Sequence, residues 1–87
     1  MSLNIAELKK KIIYRSNYRG TKEMSILLRS FTRSLVDSLN KKELQNLLNL
    51  LNFDDDNLYK FKQGIKTVVD IEDNNIAKMF KNYVYKK

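Results

Sequence analysis

The chain contains no cysteine, no histidine and no proline, and it has only two glycines among its 87 residues. Without cysteine there is no disulfide to staple a fold and no thiolate to act as nucleophile or metal ligand. Without histidine the commonest general base is missing, so neither a Ser-His-Asp nor a Cys-His arrangement can be assembled. Losing both residue types together also disfavours a zinc or haem site. These absences argue against an enzyme and for a protein that acts by binding. No apolar run reaches the roughly 18 residues that mark a membrane span. The first twelve residues include Glu7 and lack an apolar h-region and a small-residue cleavage site, so no secretory signal is expected. Nor is there an acid-free leader rich in Arg and Ser, and the expected location is the cytoplasm.

The scarcity of proline, glycine and β-branched residues points to an all-α protein, a small compact five-helix bundle. Its length fits a single helical domain over residues 1–87 with a core at about 5–84. Such a chain buries only about 60–65% of its unfolded surface, so the core is thin. The spacing predicts a first helix over Ile5–Ser16, with Asn4 and Glu7 in capping-box register. Ile5, Leu8 and Ile12 share one face with Ile13 beside them, while Lys9, Lys10 and Lys11 crowd the other side. A second helix over Lys22–Ser38 carries Met24, Leu27, Leu28, Phe31, Leu35 and Leu39 at helical spacing. Asn40 and Glu43 form another capping box ahead of Leu44, Leu47, Leu48 and Leu51. A fourth helix is expected to begin near Asp56 and to stop at Gly64 in a glycine C-cap, with Ile65 as its hydrophobic contact. Residues 65–71 read as a connector, with an extended turn at Thr67–Val69. Asp70, Glu72 and Asp73 favour the start of a fifth helix whose apolar face is Ile76, Met79, Phe80 and Tyr83, ending at Lys86 and Lys87.

The formal net charge is +7, and 13 of the 17 basic residues are lysine. Abundant Lys, Asn and Ile suggest AT-rich codons, a bias that favours lysine wherever the two cations are equivalent. They are not equivalent where a planar, bidentate fork is needed. All four arginines, Arg15, Arg19, Arg29 and Arg33, fall within one 19-residue stretch. They point to the segment around Arg19-Gly20-Thr21-Lys22-Glu23 as the first place to seek function. Two readings of that segment stay open on physical grounds. In one, Gly20 supplies a turn with positive φ or a close approach for another backbone, and Arg19 offers its donors to a carboxylate or carbonyls. In the other, Gly20 merely caps the second helix, Glu23 fills its N3 position and Arg19 is solvated. The run Asp54–Asp56 lacks the spacing of a calcium loop and reads as turn and cap chemistry. Tyr14 and Tyr18 among basic residues admit stacking on single-stranded nucleic acid, although a solvated lysine-rich surface explains the charge as well.

The run Ile13–Met24, then Leu27-Leu28-Arg-Ser-Phe31, Leu39-Asn-Lys-Lys-Glu-Leu44 and Asp54-Asp-Asp-Asn-Leu-Tyr-Lys-Phe61, resembles the SdhE-type succinate dehydrogenase assembly factors. The hallmark of that family is an Arg-Gly-x-x-Glu motif after a first basic helix. The resemblance covers about residues 12–64, with a weaker helical match to about residue 84. It implies a compact five-helix factor that binds the flavoprotein subunit of succinate dehydrogenase or fumarate reductase and promotes covalent attachment of FAD to it; the free factor is expected to be a monomer. The FAD then belongs to the partner and none is bound tightly by this chain. By the same analogy Arg19, Gly20 and Glu23 enter the partner near its flavin site, Arg15 and Tyr18 flank them, and Asp56 and Tyr59 complete the face. Three positions depart from the pattern: Ser25 stands where aspartate is frequent, Asp55 where proline is common, and Phe61 where the family has tryptophan. The rival readings are a small basic helical nucleic-acid-binding module and an antitoxin-like regulator. Whether Arg29 and Arg33 join the binding face is left open.

Overall fold

The fold is described from a computed structural model, for residues 4–17, 19–67, 71–72 and 74–84. Five helices follow one another: α1 (Ile5–Asn17), α2 (Lys22–Leu35), α3 (Lys41–Leu51), α4 (Asp55–Lys62) and α5 (Asn75–Asn82). No strand occurs among the described residues. α1 packs on both α2 and α3, and α5 closes the bundle against α3 and α4. The radius of gyration is 12.2 Å, the value of about 12 Å expected for a compact chain of this length.

Each helix starts where a side-chain oxygen satisfies backbone N–H groups that have no intrahelical acceptor. Asn4 Oδ1 accepts from Glu7 N at 2.8 Å, the first half of the expected capping box, but the Glu7 carboxylate accepts from the Asn4 side-chain amide at 3.3 Å and not from its backbone N–H. The Asn40–Glu43 box is complete in both directions. At α2 the cap is Thr21, whose hydroxyl accepts from Met24 N at 3.2 Å, and Glu23 lies one position before N3. The α4 cap is Asp54 and the helix begins at Asp55, next to the expected start, so Asp56 sits inside the first turn. Asn74 caps α5. Asp70 and Asp73, expected with Glu72 to favour that start, lie outside the described residues, as do Val68 and Val69 of the expected extended turn. α5 gives way to extended backbone at Tyr83 rather than running to the lysines; Lys86 and Lys87 lie outside the described residues.

α2 also ends earlier than its apolar pattern suggests. After Leu35 the chain tightens into one turn of 3-10 helix at Val36–Ser38. Ser34 and Ser38 donate their hydroxyls to the carbonyls of Phe31 and Leu35, and this back-bonding competes with the regular ladder. Gly64 ends α4 as expected. It has φ of 77°, and the N–H groups of Gly64 and Ile65 reach Phe61 O and Lys60 O at 3.1 and 2.8 Å, the Schellman pattern.

The core is assembled from Leu8, Ile12, Leu28, Phe31, Leu44, Leu47, Leu51, Leu58, Ile76 and Phe80 among others. Phe31 meets Phe80 and Tyr83 edge-on, with ring centroids 5.4 and 5.3 Å apart. The α1 face is narrower than its sequence implied: Leu8 and Ile12 are buried, but Ile5 and Ile13 are exposed, as is Met79 on α5. Eight- to fourteen-residue helices in a thin core have only one neighbour layer, so the edges of each apolar stripe stay in solvent. No helix among the described residues is long and apolar enough to cross a membrane.

Candidate functional site

The link between α1 and α2 is held by Arg19. Its guanidinium turns inward, and only 6% of the side chain is exposed. Nε donates to Asp55 Oδ1 at 2.7 Å, Nη1 to Leu51 O at 2.7 Å and Nη2 to Phe53 O at 2.6 Å, with a longer contact from Nη1 to Arg15 O. Leu51 is the last residue of α3, so the cation rests where that helix leaves carbonyls unpaired and its dipole is negative. Asp55 occupies the first turn of α4, where a negative charge is favoured. Its second oxygen accepts from Thr21 N at 2.9 Å. A continuous relay therefore runs from the end of α3 through Arg19, Asp55 and Thr21 to the start of α2. Lysine could not replace this arginine, because three acceptors in different directions need a planar fork.

The reading in which Arg19 is merely solvated and Gly20 caps the second helix is thus overturned. So is the expectation of a positive φ at Gly20: among the described residues the only glycine in that region is Gly64. Gly20 is instead a matter of space. A Cβ there would lie 3.3 Å from Asp55 Oδ2, the oxygen that holds Thr21. A side chain would press on the relay itself.

Two depressions open on either side of this strap. The larger, about 660 Å³, has Met24 and Leu27 among its lining and carries Lys22, Glu23, Asp56, Tyr59 and Lys62. Arg15, Gly20, Asp54 and Phe53 line the smaller, of about 490 Å³, and Thr21, Asp55 and Asp56 are common to both. Glu23 and Tyr59, on different helices, thus come to one groove. Both are exposed, and neither side chain has an ion-pair or hydrogen-bond partner among the described residues. Asp56 pairs with Lys60 at 3.1 Å on its own helix. Arg15 lies exposed across the strap. Of the expected site residues, Arg15, Arg19, Gly20, Glu23, Asp56 and Tyr59 therefore border these depressions, Arg19 with its guanidinium turned inward, and Tyr18 is outside the described residues.

Sequence reasoning missed four contributors. Thr21 precedes an apolar run, but methionine rather than glutamate stands at N3, so no capping-box signature marked it. Asp55 meets its partner across 36 residues, which no local pattern announces; its position in the first turn also suits the proline common in the resembling family. Met24 and Leu27 read as core yet also line the groove. Lys62 reaches away from the groove. Its ammonium donates to Phe80 O at 2.8 Å and to Tyr83 O, at the end of α5, and lies 5.2 Å from the Phe80 ring centroid. Burial there pulls its pKa below the usual 10.5.

No group of three or more acidic side chains suited to hold a metal ion occurs among the described residues. Comparison with known families matches residues 10–84 to the sequence model of a family described as flavinator of succinate dehydrogenase. No curated protein and no solved structure matches the chain.

Proposed function

The chain belongs to the family of flavinators of succinate dehydrogenase, and we propose that it binds the flavoprotein subunit of succinate dehydrogenase or fumarate reductase and promotes covalent FAD attachment there. The observation that supports this most is the strap at Gly20–Thr21. A buried ion pair fixes a bare backbone turn at the surface between two depressions, with an unpaired Glu23 and an exposed Tyr59 beside it. A fixed turn without a side chain lets a partner's backbone approach closely. Preorganisation of this kind removes part of the ordering cost of binding.

The chain acts by contact, not as catalyst. With neither histidine nor cysteine, it lacks the commonest general base and a thiolate nucleophile, and the flavin and the residue that takes it up both belong to the client. Its contribution is to hold client segments against Gly20, Glu23 and Tyr59, with Arg15 and Asp56 at the borders, in the arrangement in which the client's own bond forms. The factor works as a monomer in the client's compartment, which we take to be the cytoplasm.

The test is to incubate the apo-flavoprotein and FAD with and without this protein and to measure flavin fluorescence that survives denaturation. The expected result is a clear rise in covalent flavin with the protein present. Gly20→Arg should abolish the rise while circular dichroism remains helical, and Glu23→Ala should reduce it. If both variants keep full activity, the proposed face is wrong.

A further inference from the structure

α2 presents a second polar surface that shares no residue with the two depressions around the strap. Arg29 and Arg33 lie one turn apart on its outer side, with Ser30 and Ser34 at the same spacing next to them. Together with Ile26 and Tyr83 they line a depression of about 500 Å³. Both arginines are exposed, and neither guanidinium has a carboxylate or carbonyl partner among the described residues. No carboxylate lines the depression. Two like charges at this spacing repel one another and weaken a helix. In a chain where lysine supplies 13 of the 17 cations, arginine at both positions is also the less expected choice. The wall is set in place. The hydroxyls of Ser30 and Tyr83 bond one another, the Tyr83 ring packs edge-on against Phe31, and the Tyr83 carbonyl accepts from Lys62.

We propose that this groove is a docking site for an acidic protein segment that presents two carboxylates about one helical turn apart. Each guanidinium takes one carboxylate in bidentate fashion, and Cβ atoms one turn apart stand about 5–6 Å from each other. That separation is close to the roughly 7 Å between alternate residues of an extended strand, or to one turn of a partner helix. Of the Ser30 and Tyr83 hydroxyls one proton is used in their mutual bond, and the other remains to donate to the incoming segment. A phosphate also suits a guanidinium fork, but the pair here would bind it without the free backbone N–H groups of a helix start, since those of mid-α2 are inside the ladder. Two separated forks match two carboxylates better than one anion. Single-stranded nucleic acid fits less well too: it needs aromatic faces for stacking, and Tyr83 is engaged with Phe31 and Ser30. The site is independent of the client proposed above, and any partner with the acidic pair would satisfy it.

The test is titration of the isotope-labelled full chain with N-acetylated hexaglutamate amide, followed by NMR at the arginine Nε–H and serine amide signals. Inorganic phosphate and an oligothymidylate are run as competitors at the same ionic strength. The expected result is that Arg29, Arg33, Ser30 and Ser34 respond first. Joint replacement by Arg29→Gln and Arg33→Gln should weaken binding about tenfold or more, and Arg29→Lys with Arg33→Lys should weaken it about threefold, since charge is kept and the fork is lost. Both positions are exposed, so the variants keep the fold, which circular dichroism checks. Responses spread evenly over the lysine amides, or glutamine variants that bind within about twofold of the parent, would overturn the proposal. So would displacement of the peptide by phosphate or oligothymidylate at concentrations below its own.

Discussion

Replacing Arg19 with alanine is expected to cost about 3–5 kcal/mol, the usual consequence of removing one partner from a buried ion pair. Arg19 and Asp55 are 6% and 13% exposed, so solvent screens the pair weakly. The loss is shared. Asp55 keeps only its bond to Thr21, while Leu51 and Phe53 lose the donors that reached their carbonyls. A chain of this length has a total stability of about 4–13 kcal/mol, so the midpoint of thermal unfolding should fall by at least about 12 °C. The measurement is urea and thermal unfolding followed by far-ultraviolet circular dichroism, on Arg19→Ala, Asp55→Asn and the double variant. The cycle should return a coupling of about 1.5–3 kcal/mol, the range of a hydrogen bond between charged groups. Arg19→Lys keeps the charge but cannot serve a carboxylate and two carbonyls at once, so it should recover less than half of the loss. A fall of under about 4 °C for the alanine variant, with coupling below about 0.5 kcal/mol, would refute the relay. Function offers a second readout: Arg19→Lys should lower covalent flavin formation at temperatures where it is still folded, because the turn at Gly20 is no longer held.

The Thr32 hydroxyl is buried without a hydrogen-bond partner among the described residues, so Thr32→Val should raise stability by about 1 kcal/mol in urea unfolding; a loss of similar size would mean that the hydroxyl is satisfied. Gly64→Ala should cost about 1 kcal/mol by the same assay, because φ of 77° strains any residue with a Cβ. Lys62 carries a pH dependence of definite sign. Its folded pKa lies below 10.5 through burial, so the unfolded chain binds more protons between the folded value and 10.5, and stability from this group rises with pH across that window. The stability of the parent minus that of Lys62→Met should therefore rise as pH approaches 10.5, since the other lysines cancel in the difference. A flat or falling difference would contradict the desolvation of the ammonium.

Much of the helical fold was legible along the chain because its causes are local. The cap at Asn4 and the capping box at Asn40 need residues three apart, and the glycine stop at Gly64 needs only its immediate neighbours. Boundaries slipped where a local competitor was overlooked. Ser34 and Ser38 bond back to carbonyls and tighten the end of α2, whereas α4 begins at Asp55, beside the expected Asp56. The site was legible as a place but not as an arrangement. The arginine cluster and the Arg-Gly-x-x-Glu spacing led to Gly20, Glu23 and their surroundings. They did not show that Arg19 faces inward or that Gly20 matters for space beside Asp55; the wall from α4 was expected only through the family resemblance, at Asp56 and Tyr59.

By itself, then, the sequence determined the helical class, the caps, the net positive charge and the exclusion of histidine and cysteine chemistry, because each follows from composition or from residues within a turn or two of one another. Only the tertiary structure decided which arginines are structural and which are free. Arg19 finds a carboxylate and two carbonyls more than 30 residues away in the chain, while Arg29 and Arg33, on the outer side of α2, find none among the described residues. The four share one chemistry and one stretch of sequence. What separates them is the packing of α3 and α4 against the link before α2, and that is a long-range fact.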